Sequence, residues 1–443
     1  MKLKYALVFS LLTSTLCLSQ NQQILIANVR ILDHKTAALT SPMNVLIDGA
    51  HIKTISATAI PTPAATVLKI NGGGKTLMPG LIDAHVHMTF GALSMQQMMS
   101  SELSEQDLVQ KIGSGSREML LRGFTSVRDA GGPIFPLKQA IDQGKLEGPR
   151  IWPSGATISQ TAGHGDFRTP DERSRRFFGK PSRAEELGAT FIADGRAEVL
   201  TAVRENLRFG ASQIKLMAGG GTSSAYDPID VTQYTFDEMK AAVEAAEDWG
   251  TYVMVHAYTP RAVQRAIEAG VRSIEHGQML DEETLKLMAE KGIWLSLQNL
   301  MDNNDNMDEL RKEKRKPVLE GQDYVWPLAK KLGVKLAWGT DFLFEPELNK
   351  TQNSYILRLQ KWFSNAEILK MITQDNGELL QLSGLRSPYP GKIGVVEEGA
   401  MADLLLVDGN PLKDLSLITQ PEKNFLVIIK NGEIFKNNTA QKK

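Results

Sequence analysis

The centre of the chain alternates helix-like and buried strand-like segments with a regularity that few folds accommodate. A helix signal opens at the capping box Ser104–Asp107 and ends at Gly123, and an apolar strand follows it. Later helix signals end in the same way, at Gly250, Gly270, Gly292 and Gly333. Strands separated by helical crossovers predict a parallel sheet, and eight of them predict an α/β fold of the closed (β/α)8 type, a TIM barrel. The eight predicted strands are, in order, MPGLIDAHVH, FTSVRDAGG, RIWPSGATIS, ASQIKLMAGG, TYVMVHAY, VRSIEHG, IWLSLQN and VKLAWGTDF.

An open doubly wound sheet is the alternative architecture for the same alternation. No GxGxxG or Walker-type glycine-rich loop follows the first predicted strand. The sequence therefore gives no support for nucleotide binding, which such sheets often carry out at that loop.

Both ends of the chain are rich in short β-branched runs, unlike its centre. Near the N-terminus a hairpin is indicated by Asp48-Gly49, and near the C-terminus similar turns occur at Asp408-Gly409 and Asn431-Gly432. We therefore predict one small β-sandwich that is assembled from both termini. Its predicted parts are residues 20–78 and 386–443, on either side of a barrel domain over residues 79–385.

The first 19 residues are typical of an export signal. A basic Met-Lys-Leu-Lys start precedes an apolar run from Tyr5 to Leu18 that is too short to span a bilayer. Small residues at Cys17 and Ser19 favour cleavage before Gln20, which predicts a secreted or periplasmic protein. A lipoprotein anchor on Cys17 is the alternative, and Leu16 is an unfavourable residue before a lipidated cysteine.

Composition excludes several classes of function. The chain holds 50 Lys and Arg against 51 Asp and Glu, so its charge gives no electrostatic case for nucleic-acid binding. Cys17 is the single cysteine, which excludes a disulfide scaffold, cysteine-ligated zinc and a thiol nucleophile. No later segment is typical of a stable membrane span. We expect a homo-oligomer, whose size the sequence does not determine.

Ligand-type side chains cluster at the C-terminal ends of the predicted strands. His85 and His87 end strand one with the spacing His-x-His, and residues i and i+2 of a strand share a face. Strands five, six and eight end in His256, His276 and Asp341. A lone histidine is more often a core residue, but five such side chains at one end of a barrel favour a metal site. Histidine and aspartate ligands without cysteine indicate Zn²⁺ or a similar divalent ion.

Lys215 lies on strand four between Ile214 and Leu216, which are expected to face the helix layer. Its side chain therefore points into the barrel, where burial depresses the pKa of an amine. A neutral amine at that depth is able to react with CO₂ to form a carbamate, an anion that bridges two metals as a carboxylate does. A lysine that snorkels to solvent, or one that pairs with Asp341, remains open as an alternative.

These motifs together resemble the metal-dependent amidohydrolase superfamily. PGLIDAHVHM, Lys215, VMVHAY, IEHG and GTDF reproduce its ligand order from strand one to strand eight. TAGHGD around His164, and HAY ending in Tyr258, are similar to imidazolonepropionase-like members that act as zinc-dependent dipeptidases and carboxypeptidases, including Xaa-Pro prolidases. Relatives of that subgroup hydrolyse ochratoxin-type amides.

The resemblance implies a role for each of these residues. His85, His87 and Asp341 would hold the more buried of two Zn²⁺ ions, His256 and His276 the other, and carboxylated Lys215 would bridge them. Asp341 would shuttle the proton from metal-activated water to the leaving amine, and His164 and Tyr258 would bind substrate and stabilise the oxyanion. Alternatives for the last two are a loop turn residue and a rim aromatic, respectively.

The predicted function is hydrolysis of the amide bond of dipeptides or N-acyl amino acids by a binuclear metal centre. Hydrolysis of a cyclic amide or a lactone is an enzymatic alternative. A metal-binding or solute-binding module without catalysis is a third, which the intact Asp341 disfavours because binding alone needs no proton shuttle.

Two connections are too long for simple βα loops. Residues 163–196 combine cations with Phe177 and Phe178, and we expect an arginine of this insertion to bind a substrate carboxylate. The candidate cations are Arg168, Arg173, Arg175, Arg176 and Lys180. The charged segment Met301 to Lys316 is expected to be either a lid or a solvated loop. At strand two, Arg128 and Asp129 are interpreted as an internal ion pair without a catalytic role.

Overall fold

A computed structural model of the chain describes residues 23–63, 67–100, 102–224, 226–303 and 307–439. The predicted signal sequence, Cys17 and the expected cleavage site before Gln20 therefore lie outside the described residues. Within the described ranges, no helix has both the length and the apolar character needed to cross a membrane.

The N-terminal strands pair around one central strand. They are β1 (Gln23–Asp33), β2 (Ala38–Leu39), β3 (Met43–Asp48), β4 (His51–Ser56), β5 (Val67–Asn71) and β6 (Thr76–Pro79). Strand β1 pairs antiparallel with β3 and parallel with β5 and β6. The predicted hairpin at Asp48-Gly49 joins β3 to β4, with Gly49 at φ +58°.

Ten parallel strands follow. They are β7 (Leu81–Val86), β8 (Phe124–Asp129), β9 (Arg150–Pro153), β10 (Thr157–Ser159), β11 (Thr190–Ile192), β12 (Ile214–Met217), β13 (Val253–Ala257), β14 (Ser273–His276), β15 (Trp294–Leu297) and β16 (Lys335–Trp338). Six of the eight predicted barrel strands correspond to one strand each, and the first begins with the last two residues of β6 and continues as β7. The third is split, since β9 pairs with β8 whereas β10 pairs with β12.

The split in the third strand has a local cause. Pro153 has no N–H to donate to a ladder, and Gly155 takes a left-handed φ of +74°. The Asn206 amide then holds the displaced segment, since it accepts from the Ala156 N–H at 3.0 Å and donates to the Ala156 carbonyl at 2.8 Å. Strand β11, which the sequence analysis missed, pairs with β10 inside the long insertion.

One backbone hydrogen bond and one side-chain amide link the first and last strands of the barrel. The Asp341 N–H donates to the His85 carbonyl at 2.9 Å. The Asn376 amide donates to the carbonyls of Ile82 and Trp338, which lie on β7 and β16. These bonds substitute for a regular ladder, and the prediction of a (β/α)8 barrel is confirmed.

The helices are α1 (Met88–Ala92), α2 (Met95–Met98), α3 (Glu105–Leu121), α4 (Phe135–Asp142), α5 (Arg175–Phe178), α6 (Arg183–Glu186), α7 (Arg196–Arg208), α8 (Phe236–Asp248), α9 (Pro260–Ala269), α10 (Glu282–Lys291), α11 (Glu309–Leu332), α12 (Gln352–Arg358), α13 (Asn365–Lys370), α14 (Asn376–Leu380) and α15 (Pro421–Asn424). A π-helical turn, Met371–Asp375, joins α13 to α14. The capping box at Ser104 forms as predicted, and Gly270, Gly292 and Gly333 end their helices in left-handed conformation.

The charged segment from Met301 to Lys316 differs from the expected loop. Helix α11 begins at Glu309, because the Asp308 side chain accepts a hydrogen bond from the Arg311 N–H at 2.8 Å. The second half of the segment is therefore the first two turns of a 24-residue helix.

The last strands, β17 (Leu404–Val407), β18 (Phe425–Lys430) and β19 (Glu433–Asn437), complete the first sheet. Its path runs β19-β18-β17-β6-β1-β3-β4, so strands from both ends of the chain share it. The turn between β18 and β19 places Asn431 and Gly432 at positive φ, as the Asn-Gly pair predicts. This sheet has its own apolar core, which includes Ile26, Val45, Ile47, Leu404, Leu406, Val427 and Ile429.

Candidate active site

A cavity of about 560 Å³ lies at the carboxyl ends of the barrel strands, the face where such barrels bind ligands. Part of its wall is apolar, and the rings of Phe90, Phe167 and Phe344 contact one another with centroids 5.5 to 5.9 Å apart. The predicted site residues that line the cavity are His87, His164, Lys215, His256, Tyr258, His276 and Asp341. The remaining predicted ligand, His85, is fully buried and contacts Asp341.

Asp341 lies at the centre of the histidine cluster. Its Oδ1 is 3.3 Å from Nε2 of both His85 and His87, and its Oδ2 is 3.9 Å from Nδ1 of His276. Burial alone raises the pKa of Asp341, but the surrounding histidines outweigh it and hold that pKa well below its ordinary value. The carboxylate is therefore ionised at neutral pH. Donor atoms of His85, His276 and Asp341 lie within 4.8 Å of one another, and this nitrogen and oxygen set fits a divalent ion such as Zn²⁺.

Two residues of this cluster have unusual backbone conformations. His276 has φ +80° and Asp341 has φ +55°, both in the left-handed region. Such conformations cost on the order of 1–3 kcal/mol each for residues other than glycine, and they concentrate at functional sites. Neighbouring side chains of a regular strand point to opposite faces, yet Glu275 and His276 both reach the cluster around His85. The left-handed backbone at His276 makes this convergence possible.

Hydrogen bonds fix which ring nitrogen each histidine presents. His85 Nδ1 lies 2.7 Å from Glu275 Oε2, and His87 Nδ1 donates to the Gly131 carbonyl at 2.9 Å. His256 Nε2 donates to the Gly220 carbonyl, also at 2.9 Å. The other ring nitrogen, which is Nε2 in His85 and His87 and Nδ1 in His256, therefore carries the lone pair that can bind a metal ion. Such outer contacts orient metal-ligating histidines and select their tautomer.

Glu275 is a site residue that the sequence analysis missed. Arg128 donates to both of its carboxylate oxygens at 2.8 Å, and all of these groups are fully buried. Burial opposes ionisation of Glu275, but Arg128 and His85 lower its pKa well below the usual value. The available signal was an acidic residue inside the apolar strand VRSIEHG, directly before a predicted ligand.

The expected ion pair between Arg128 and Asp129 is wrong. Adjacent strand residues face opposite ways, so Arg128 reaches Glu275 while Asp129 accepts from the backbone N–H groups of Met88 and Gly131. Burial raises the pKa of Asp129 to about 7.

Lys215 lies inside the barrel, as the alternation on its strand predicts. It is 1% exposed, and its Nζ is 3.4 Å from Nε2 of His85. Burial lowers the pKa of Lys215 to about 8. Among the described residues no carboxylate oxygen lies within 4 Å of this amine, so the alternative of a direct pair with Asp341 does not form. The snorkelling alternative also fails, because the amine is enclosed.

His164 and Tyr258 both face the cluster. The His164 ring stacks on His256 with centroids 4.0 Å apart, and its Nδ1 lies 2.8 Å from Ser224 Oγ. Burial lowers the pKa of His164 to about 4, so the ring is neutral at physiological pH. The Tyr258 ring lies 5.2 Å from that of His276, and burial raises the pKa of its hydroxyl, which therefore keeps its proton as a hydrogen-bond donor.

The expectation that insertion arginines face the substrate is wrong. Arg168 donates to Asp166 at 2.7 Å, Arg175 lies 3.5 Å from Glu185, and Arg176 lies 3.4 Å from Glu198. Three of the five candidate cations are thus paired with nearby carboxylates, and none of the five lines the cavity. The arginines that do line it are Arg311 and Arg315 of α11, from the charged segment after strand seven.

Comparison with known proteins gives the family. The model of the Amidohydrolase family matches residues 76–435. Ochratoxinase from Aspergillus niger is 31% identical over 374 residues, covering 81% of this chain and 75% of the relative. A prolidase crystallised with N-methylphosphonate-L-proline is 33% identical with a TM-score of 0.85, covering 94% of this chain and 100% of that one. A Xaa-Pro dipeptidase with bound methionine is 30% identical, with a TM-score of 0.79 and the same coverage. The resemblance seen in the sequence is thus confirmed: the chain belongs to the amidohydrolase family and is a hydrolase that acts on amide bonds.

Proposed function

We propose that this enzyme uses two divalent metal ions, of which Zn²⁺ is the favoured identity, to hydrolyse the amide bond of dipeptides or N-acyl amino acids. One observation carries the proposal. Four histidines, a buried lysine and an ionised aspartate converge at a single cavity of a size that accommodates a dipeptide. The similarity to a prolidase, a Xaa-Pro dipeptidase and an ochratoxinase supports the same bond type.

His85, His87 and Asp341 would hold one ion and His256 and His276 the other. Lys215, carboxylated by CO₂, would bridge the two. Its enclosed position and lowered pKa support carboxylation, because only the neutral amine reacts. Divalent ions in such a site lower the pKa of water and polarise the carbonyl that is attacked.

The chain's own residues would supply the proton transfers. Asp341 is ionised and points into the cavity, so it is placed to accept the proton of the attacking water and pass it to the leaving amine. Tyr258 keeps its proton and is placed to donate to the developing oxyanion, and His164 is a second donor at its Nε2.

The cavity wall supports a substrate with an apolar part. The ring cluster of Phe90, Phe167 and Phe344 adjoins the candidate ligands, since Phe90 stacks on His87 with centroids 5.3 Å apart. This arrangement favours an aromatic or bulky apolar group on the substrate, a property that ochratoxin-type amides share. We also propose that the enzyme acts in the periplasm or after secretion, because its first 19 residues are typical of an export signal.

The test is a liquid-chromatography screen of zinc-loaded protein against a panel of dipeptides, N-acyl amino acids, cyclic amides and lactones. We expect hydrolysis of members of the first two classes. Asp341→Asn is the matched control: it keeps a ligand oxygen but removes the base, so metal content falls modestly while kcat falls by at least about a thousandfold. Turnover of cyclic amides or lactones alone would replace this proposal with its alternative. Near-normal kcat in the variant would assign the proton shuttle to another group.

A further inference from the structure

Arg315 is a buried cation in the cavity wall, and no described residue pairs with it as an acid. Its residue is 5% exposed, and its guanidinium lines the same cavity as Tyr258, His276 and Asp341. Its Nε donates to Asn303 Oδ1 at 2.8 Å and its Nη2 donates to the Met301 carbonyl. Within the described part of the chain, no carboxylate oxygen comes within 4 Å of this guanidinium. Burying an uncompensated charge is costly, so a group of this kind is typical of an anion-binding site.

A second cation reinforces the positive charge at this wall. Arg311 precedes Arg315 by one helical turn on α11 and also lines the cavity. Its Nη2 lies 3.5 Å from Glu345 Oε1, and its buried Nε has no hydrogen-bond partner in the described part of the chain. Like charges at i and i+4 destabilise a helix, and burial together with repulsion from Arg311 lowers the pKa of Arg315. Among the described residues, Glu345 is the one carboxylate within 4 Å of either guanidinium, although Asp302 and Asp308 also line the cavity.

The start of α11 is docked against the residues proposed to bind the reacting carbonyl. Lys314 donates from Nζ to the Ser224 carbonyl at 2.7 Å, and the Ser224 hydroxyl contacts His164. Asn303 and Met301, in the loop after strand seven, hold the plane of the Arg315 guanidinium. An anion bound by Arg315 would thus lie at a fixed position relative to the metal ligands.

We propose that Arg315, reinforced by Arg311, binds the α-carboxylate of the leaving residue and is thus the side chain by which the enzyme distinguishes a free acid from its carboxamide. This inference rests on the proposed function. The guanidinium hydrogens not used by Asn303 and Met301 supply charge-assisted hydrogen bonds to the carboxylate oxygens. The side chain that recognises the substrate's charge thus comes from α11 and not from the insertion at residues 163–196.

The test compares Arg315→Met with Lys316→Met, which removes the neighbouring exposed cation of the same helix. The probes are the N-acetyl-L-amino acid that the panel ranks first and its C-terminal carboxamide. We expect the unmodified enzyme to prefer the free acid at least tenfold in kcat/KM. Arg315→Met should lose at least tenfold on the acid, mainly through KM, and less than threefold on the carboxamide. Lys316→Met should resemble the unmodified enzyme on both probes.

Equal losses of Arg315→Met on the two probes would overturn the inference, because a purely structural role affects both alike. Arg315→Lys keeps the charge but not the fork of donors, so it should show an intermediate loss on the acid alone; this variant decides the matter if Arg315→Met does not fold. A wild-type enzyme that hydrolyses no dipeptide or N-acyl amino acid would reject the proposed function itself. An active enzyme that does not discriminate between the probes would reject only the role of Arg315.

Discussion

Replacing Glu275 by Gln tests whether the buried network behind the histidines supports both the fold and the metal site. The two oxygens of Glu275 accept from Arg128, from the Ser273 hydroxyl at 2.6 Å and from His85 at 2.7 Å. Glutamine keeps the shape but replaces one acceptor oxygen with an NH₂ donor. Whichever way the amide turns, this NH₂ group faces a donor, and Arg128 loses its buried counter-charge.

The magnitude follows from the burial of both partners. Arg128 and Glu275 are 0% exposed, and removal of one partner from a buried pair costs about 3–5 kcal/mol. We expect Glu275→Gln to lower the free energy of unfolding by about 3 kcal/mol, at the low end of that range, because the amide retains one acceptor oxygen. If the amide nitrogen faces His85, the ring must move its proton to Nε2, the atom proposed to bind metal. Metal affinity should then fall by about 10–100-fold.

Urea unfolding of the metal-free protein, followed by the fluorescence of its six tryptophans, measures the first effect. Competition for zinc with a chromophoric chelator measures the second effect, the fall in metal affinity. The combination Arg128→Met/Glu275→Gln leaves no unpaired buried charge, so its cost should be smaller than the sum of the single costs by at least about 2 kcal/mol. Additive costs, or a loss below about 1 kcal/mol for Glu275→Gln, would refute the reasoning.

Two further predictions concern other buried groups. Lys215→Ala removes the proposed bridging carbamate, so elemental analysis should show about one metal ion per chain in place of two. Short carboxylic acids should restore the activity of this variant at most in part. Two ions per chain in the variant would contradict the bridging role. Burial, with repulsion from Lys370, lowers the pKa of His34 to about 4, so between pH 6.5 and 4 the unfolded chain binds a proton that the folded chain does not. Stability should therefore fall as the pH falls through this window, by up to about 3 kcal/mol from this residue, and His34→Gln should weaken that dependence in urea unfolding. An unchanged pH dependence would show that His34 titrates normally.

Local signals in the sequence were sufficient for the main elements of the barrel. The capping box at Ser104 and the left-handed glycines Gly270 and Gly292 fix helix ends through contacts within a few residues, so their effect is readable along the chain. The split third strand and β11 were missed. The cause is that the Asn206 side chain, about fifty residues away, holds the displaced segment at Ala156.

The sequence by itself determined which side chains end the barrel strands, because strand periodicity and the parallel topology bring those ends to one face. That rule placed His85, His87, His256, His276 and Asp341 at the strand ends, and the alternation of strand four placed Lys215 inside the barrel. Only the tertiary structure decided which charges pair with each other. Arg128 bonds to Glu275 across the barrel, Arg168, Arg175 and Arg176 of the insertion pair with nearby carboxylates, and Arg311 and Arg315 line the cavity. Ion pairing depends on distances of a few ångströms between residues far apart in sequence, and those distances are set by packing rather than by local pattern.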